Sequence, residues 1–141
     1  MKNLFSWKSV AVSVGLLALL AAPANAQSPA IRADVPFAFT AANQTLPPGQ
    51  YRFAIEVDRM LLKITDLDGT GIWVARLVPG GSDRHVVDLE KGMLRFHQYG
   101  GRYFLSDIWR SGTVQGNALM PSRVPKELGS APRVRDVKAT K

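Results

Sequence analysis

Apolar and polar residues alternate along most of this chain. Tyr51, Phe53, Ile55 and Val57 are separated by Arg52, Ala54 and Glu56, and Leu62 and Ile64 are flanked by Lys63 and Thr65. A period of two sends successive side chains to opposite faces of a strand, one inward and one toward water. A strand from Ile31 to Phe39 carries the same spacing at Val35, Phe37 and Phe39, and Pro36 within it points to an edge or a bulge. Ile72 to Val78, Met93 to Tyr99 and Arg102 to Trp109 continue the series, and His85 to Val87 offers a further short strand. Thr40 to Gln50 reads as a loop and Asp58-Arg59 as a tight turn. Asp68-Gly69-Thr70-Gly71 and Gly100-Gly101 read as hairpin turns, and Pro79-Gly80-Gly81-Ser82 as a break. No part of this region sustains a 3.6-residue period for three turns, and helices do not interleave the strands. The pattern therefore predicts an all-β domain, a small antiparallel β-sandwich or barrel of six or seven strands.

Both ends depart from this pattern. Lys2 and Lys8 precede an apolar run from Val10 to Ala22, and Ala24-Asn25-Ala26 supplies a small-x-small cleavage signal. That is the layout of a secretory signal peptide over residues 1–26, with the mature chain starting at Gln27. The apolar run is shorter than the roughly 20 residues a membrane-spanning helix needs. No twin-Arg pair precedes it, so Sec-type export to the periplasm or the medium is the expectation. An exported chain does not meet cytosolic nucleic acid, and after cleavage no integral membrane span is expected. Past Gly112 the chain turns polar, with prolines at 121, 125 and 132. The expected organisation is an all-β domain over 27–120 and a basic, largely flexible tail over 121–141, with one helical turn within Ser122 to Leu128.

The cysteine count is 0, so disulfides, thiolate metal sites and thiol catalysis are excluded, and the fold rests on apolar burial and backbone hydrogen bonds. The net charge is +7, falling to +5 once Lys2 and Lys8 leave with the leader. Most of that excess lies in the tail, in Arg123, Lys126, Arg133, Arg135, Lys138 and Lys141 against Glu127 and Asp136. A basic tail on a nearly neutral body attracts polyanions, here an anionic cell-envelope polymer.

Few residues suggest catalysis. Asp66-Leu67-Asp68-Gly69 begins like a calcium loop but runs straight into a strand, which leaves a hairpin turn as the better reading. A metal site would need His85 and His97 with a carboxylate such as Asp83 or Asp88, and no spacing predicts their meeting. Ser106 and Ser111 lack a nucleophile elbow, and Glu56, Glu90 and Asp107 are the carboxylates from which a glycosidase pair would be drawn. No catalytic, metal or cofactor set is therefore assigned. Tyr99, Arg102, Tyr103, Trp109 and Arg110 place aromatic and guanidinium groups on and beside neighbouring strands, a face that would receive a glycan or a partner protein.

Two stretches carry a resemblance. Val35-Pro36-Phe37-Ala38-Phe39 followed by Leu46-Pro47-Pro48-Gly49-Gln50-Tyr51, together with Gly100-Gly101-Arg102-Tyr103-Phe104-Leu105-Ser106-Asp107-Ile108-Trp109, resemble a group of small secreted all-β proteins common in soil bacteria of the acidobacterial kind. The resemblance covers Val35 to Leu128 and implies the fold and the exported address, with no catalytic assignment. The sequence thus leads to an exported, non-enzymatic β module of the cell envelope or extracellular space that binds or assembles through a sheet face or edge. A small secreted hydrolase or carbohydrate-active enzyme, and an electrostatic envelope-polymer binder acting through the tail, are the alternatives.

Overall fold

The computed structural model describes residues 30–82, 90–120 and 131–140. They form ten strands: β1 (Ala30–Val35), β2 (Phe39–Ala41), β3 (Gln44–Leu46), β4 (Gly49–Glu56), β5 (Leu61–Asp66), β6 (Ile72–Ser82), β7 (Met93–Tyr99), β8 (Arg102–Trp109), β9 (Gln115–Leu119) and β10 (Arg133–Lys138). A single 3-10 turn, Val57–Arg59, joins β4 to β5. The protein is predominantly β, as the alternation predicts. Among the described residues no helix is long and apolar enough to cross a membrane. The leader, His85 to Val87 and the helical turn expected within Ser122 to Leu128 lie outside the described residues.

Antiparallel pairing runs β1-β4-β5-β6-β9-β8, and β8 continues to β7 and β7 to β10. One bridge between Arg32 and Thr140 then returns the path to β1, with the Thr140 N–H donating to the Arg32 carbonyl at 2.8 Å. β8 divides one edge between two partners: Tyr103 and Phe104 pair with β2 in parallel, and Asp107 and Ile108 pair with β9. β1, β4 and β5 bury their alternate apolar positions, whereas β2, β7 and β8 also bury adjacent residues. In β1, Ile31, Ala33 and Val35 are buried while Arg32 and Asp34 are exposed, and in β4 Tyr51, Phe53 and Ile55 are buried. These join Phe39, Leu46, Leu62, Ile64, Leu94, Phe96 and Ile108 in one apolar core.

Ten strands stand where six or seven are expected from the sequence, and each difference has a physical cause. The strand expected from Ile31 to Phe39 is two, β1 ending at Val35 before Pro36 and β2 beginning at Phe39. The expected loop from Thr40 to Gln50 contains the β2-β3 hairpin, turned by Ala42 and Asn43 at φ of 51° and 63°, a left-handed pair of the kind a two-residue hairpin requires. β6 continues through Pro79 to Ser82, and the expected break there takes the form of a register shift against β9 between Pro79 and Ser82. Its pairing with β5 ends at Arg76 and its pairing with β9 begins at Leu77, so the missing Pro79 N–H falls where β5 is no longer alongside. The polar stretch after Gly112 supplies β9, and the tail expected to be flexible supplies β10. Val137 of β10 packs against the core, and Asp136 accepts from Arg95 Nε and Nη2 at 2.9 and 3.2 Å.

Phe96 lies where these parts meet, edge-on to Phe37 at 5.1 Å and to Phe39 at 5.4 Å between ring centroids. Phe96→Ala should therefore lower unfolding free energy by about 3–5 kcal/mol in urea titrations. A loss under about 1 kcal/mol would show that this junction does not hold the fold.

Candidate functional site

The β7-β8 register divides the expected binding face in two. Tyr99 pairs with Arg102, and Met93 with Trp109, on one face of the hairpin; Tyr103 pairs with Gln98 on the other. A bulge at Ser106, whose Oγ donates to the Arg95 carbonyl at 3.1 Å, restores the alternation for Ile108 and Trp109. The aromatic faces are taken up internally. Tyr103 stacks on Phe37 at 4.0 Å, and Arg135 of the tail lies over Phe37 at 4.8 Å and donates to the Tyr103 hydroxyl at 3.3 Å. Arg102 sits over Phe104 at 5.3 Å, with Tyr99 edge-on to the same ring. Trp109 is buried beneath Arg95, its Nε1 without a hydrogen-bond partner. Gly116 passes so close that a Cβ there would lie 2.6 Å from Trp109 Cε2. Arg110 follows β8 and is half-buried.

Arg133 and Lys138 are exposed on β10, while Arg123, Lys126 and Lys141 lie outside the described residues, as do His85, Asp83 and Asp88. His97 stands beside Tyr99 on β7. Glu56 ends β4 and contacts Arg59 at 3.8 Å, whereas Asp107 belongs to β8, separated from β4 in the pairing order by β5, β6 and β9. Glu90 precedes β7. Among the described residues no three His, Asp or Glu side chains gather into a metal-holding group.

A different set of side chains is brought together on the outward face of β1-β4-β5-β6. Arg32, Arg52, Lys63 and Arg76 each stand between two buried apolar neighbours, so the pleat turns all four to the outside. Register lines them up. Arg32 is directly opposite Arg52; Arg52 faces Thr65, two residues from Lys63; and Lys63 faces Val74, two residues from Arg76. The four cations therefore descend one diagonal across four strands, about 20 Å from end to end by ordinary cross-strand spacings. None of them enters an ion pair among the described residues, and like charges directly opposite each other destabilise a sheet. Asp34 and Glu56 flank the diagonal without bonding to it.

At the Arg32 end this face meets a cleft. A cavity of about 460 Å³ opens between the Pro47-Pro48 loop and the β5-β6 hairpin, with Gln50, Tyr51, Leu67, Asp68 and Trp73 in its wall. A smaller hollow of about 110 Å³ shares Gln50, Tyr51 and Leu67 with it and reaches Arg32. The hairpin is held by Asp66, whose carboxylate accepts from the Gly71 N–H at 3.1 Å and from the Thr70 hydroxyl at 2.9 Å. The Gly71 N–H first, and the Thr70 hydroxyl after it, hold the Asp66 carboxyl below the usual range against the opposing effect of its partial desolvation. Burial, and then the charge of Asp66, push the Tyr51 phenol up, so it stays protonated and donates to the Pro47 carbonyl at 2.6 Å. A Cβ on Gly71 would lie 2.2 Å from Trp73 Cη2, so glycine there sets the position of the indole.

Sequence reasoning missed this face because it sought charge in runs, and these four residues are far apart in the chain. Their signal was present one residue at a time, as single cations between apolar strand positions. Comparison with protein-family models, with curated proteins and with solved structures finds no match.

Two expectations follow from the hairpin. Asp66 has a lowered pKa in the folded state, so its contribution is complete above the ordinary Asp value of about 3.9 and is lost as pH falls through the folded value. Asp66→Asn should therefore reduce stability at neutral pH and flatten the acid limb of a stability-against-pH curve; an unchanged acid limb would remove Asp66 from this role. Gly71→Ala should cost about 1–3 kcal/mol in chemical denaturation by displacing the Trp73 ring.

Proposed function

We propose that this protein is an exported, non-enzymatic β module that binds an anionic polymer of the cell envelope through the outward face of β1-β4-β5-β6. The observation that carries the reading is the diagonal Arg32, Arg52, Lys63, Arg76, four cations aligned by register and left without carboxylate partners among the described residues. Two arginines set directly opposite each other raise the energy of the empty sheet and lower it once a polyanion lies between them. Guanidinium groups also suit carboxylate and phosphate, which they grip with paired hydrogen bonds. Exposed cations seldom contribute stability through surface pairing, so their alignment is better explained by a ligand than by the fold.

Export rests on the leader over residues 1–26 and agrees with the resemblance to small secreted all-β proteins. The return of the pairing path to β1 through Arg32 and Thr140 favours the barrel over the sandwich, which gives the face a curved, edge-poor support. This reading moves the anion-binding role from the tail to the sheet. Arg135 is already engaged with Phe37 and Tyr103, and Asp136 offsets charge within β10. An enzyme reading has no comparable support, since Glu56 and Asp107 belong to strands that do not pair.

The test is a pair of charge reversals with equal change in net charge. R52E/K63E should weaken binding to immobilised polyphosphate and polygalacturonate by about tenfold or more. R110E/R133E, off the diagonal, should leave it within about twofold. Binding should also weaken as salt rises from about 0.05 to 0.5 M, since screening shortens the reach of exposed charges. Equal losses in the two variants would show that only net charge matters and would overturn the assignment to this face.

A further inference from the structure

We infer that the polymer taken by this face is an acidic polysaccharide, one of whose sugar units seats in the cleft between the Pro47-Pro48 loop and the β5-β6 hairpin. The inference rests on the reading of the cationic diagonal as a polyanion site and adds to it the chemical class of the ligand. Its ground is continuity: the hollow that reaches Arg32, the first cation of the diagonal, shares Gln50, Tyr51 and Leu67 with the larger cleft. A chain held at Arg32 therefore lies against this hollow, from which Gln50, Tyr51 and Leu67 lead into the larger cleft.

The wall of that site has the mixed chemistry a sugar ring needs. Trp73 is half-buried and offers indole surface held in place from one side by Gly71 and edge-on by Tyr51 at 6.1 Å between centroids. The axial C–H groups of a pyranose pack on such a surface, since an indole carries an electron-rich face that attracts the weakly positive hydrogens. Gln50 and Asp68 are both exposed at the rim and supply an amide and a carboxylate to bond hydroxyl groups. About 460 Å³ lies within the ordinary range for small-ligand clefts.

Charge sign then separates the candidate polymers. The diagonal is cationic, but the cleft carries the carboxylates of Asp66 and Asp68. A polyphosphate has neither a ring to lie on Trp73 nor hydroxyl groups to donate to Asp68, so it meets attraction on the sheet and only repulsion in the cleft. A glycan bearing carboxylates along its length and hydroxyl-rich rings throughout satisfies both, placing acid groups on the arginines and hydroxyls against Asp68. An anionic bilayer is disfavoured for the same reason, because its headgroup plane would press on Asp68 and Asp34 beside the diagonal.

The experiment is isothermal titration of the purified protein and its variants with polygalacturonate and, separately, with polyphosphate of matched charge. Trp73→Ala and the rim variant Gln50→Ala/Asp68→Ala should each weaken polygalacturonate binding by about tenfold. Polyphosphate binding should be unchanged or tighter, because one repelling carboxylate is gone in the rim variant. The rim variant changes exposed side chains only, so it decides the matter if Trp73→Ala disturbs the fold. Binding of both polymers that depends on Arg52 and Lys63 but is indifferent to Trp73, Gln50 and Asp68 would overturn the glycan assignment and leave the polyanion site standing. Binding of neither polymer by the unaltered protein would overturn both.

Discussion

Phe39 packs edge-on to Tyr51 and to Phe96 with centroids 5.4 Å away in each case, and lies tilted against Phe53 at 6.5 Å. Its strand, β2, is only three residues long, yet this ring connects β4 on one side of the core with β7 on the other. Burial of these rings fixes the register of the strands that carry them, because a slip of one residue would turn every apolar side chain to water. The outward residues follow from the inward ones. Once Tyr51 and Phe53 point into the core, Arg52 must point out, and once Leu62 and Ile64 do, Lys63 must as well. Core packing thus sets the outward direction of each of the four positions and pairing sets them in line, but neither requires that all four be cations.

The closing strand shows charge put to a different use. β10 is mostly exposed, and little of its hold on β7 comes from apolar burial beyond Val137. It is fixed by backbone pairing from Arg133 to Lys138, by the forked bond of Arg95 to Asp136, and by Arg135 lying over the stacked rings of Phe37 and Tyr103. Guanidinium groups suit that task because a planar cation packs on an aromatic face while keeping its N–H groups for hydrogen bonds. Basic residues therefore divide by environment. Arg95 and Arg135 join strands through a carboxylate and through aromatic rings, whereas Arg32, Arg52, Lys63 and Arg76 enter no ion pair among the described residues.

Strand identity was legible wherever both faces of the pleat had a distinct character. β1, β4 and β5 show that contrast, β7 and β8 were marked by their apolar and aromatic content although both bury residues on each face, and the Asp68 to Gly71 hairpin announced itself through its turn residues. The short strands were hidden for a different reason. Gln44–Leu46 and Gln115–Leu119 bury one or two side chains each and exist because a neighbour offers its edge, a condition no local window contains. β10 was hidden by its charge: Arg133, Arg135 and Lys138 suggest a solvated tail until Phe37, Tyr103 and Arg95 are seen waiting for it.

The sequence by itself determined the class of fold, the exclusion of thiol chemistry, and the direction in which side chains point in the regularly alternating strands β1, β4 and β5. Those properties depend on residue type and on a period of two, both local. Tertiary structure alone decided which outward residues become neighbours. Arg32, Arg52, Lys63 and Arg76 are spread over four strands, and only the register of three pairings sets them in one line. It likewise decided that Arg135 donates to the Tyr103 hydroxyl, and that Trp73 lines the same cleft as Gln50 and Tyr51, which also line the hollow that reaches Arg32. The reason is physical: hydrogen-bonded register is a relation between strands, selected by the whole core at once, and no single strand encodes it.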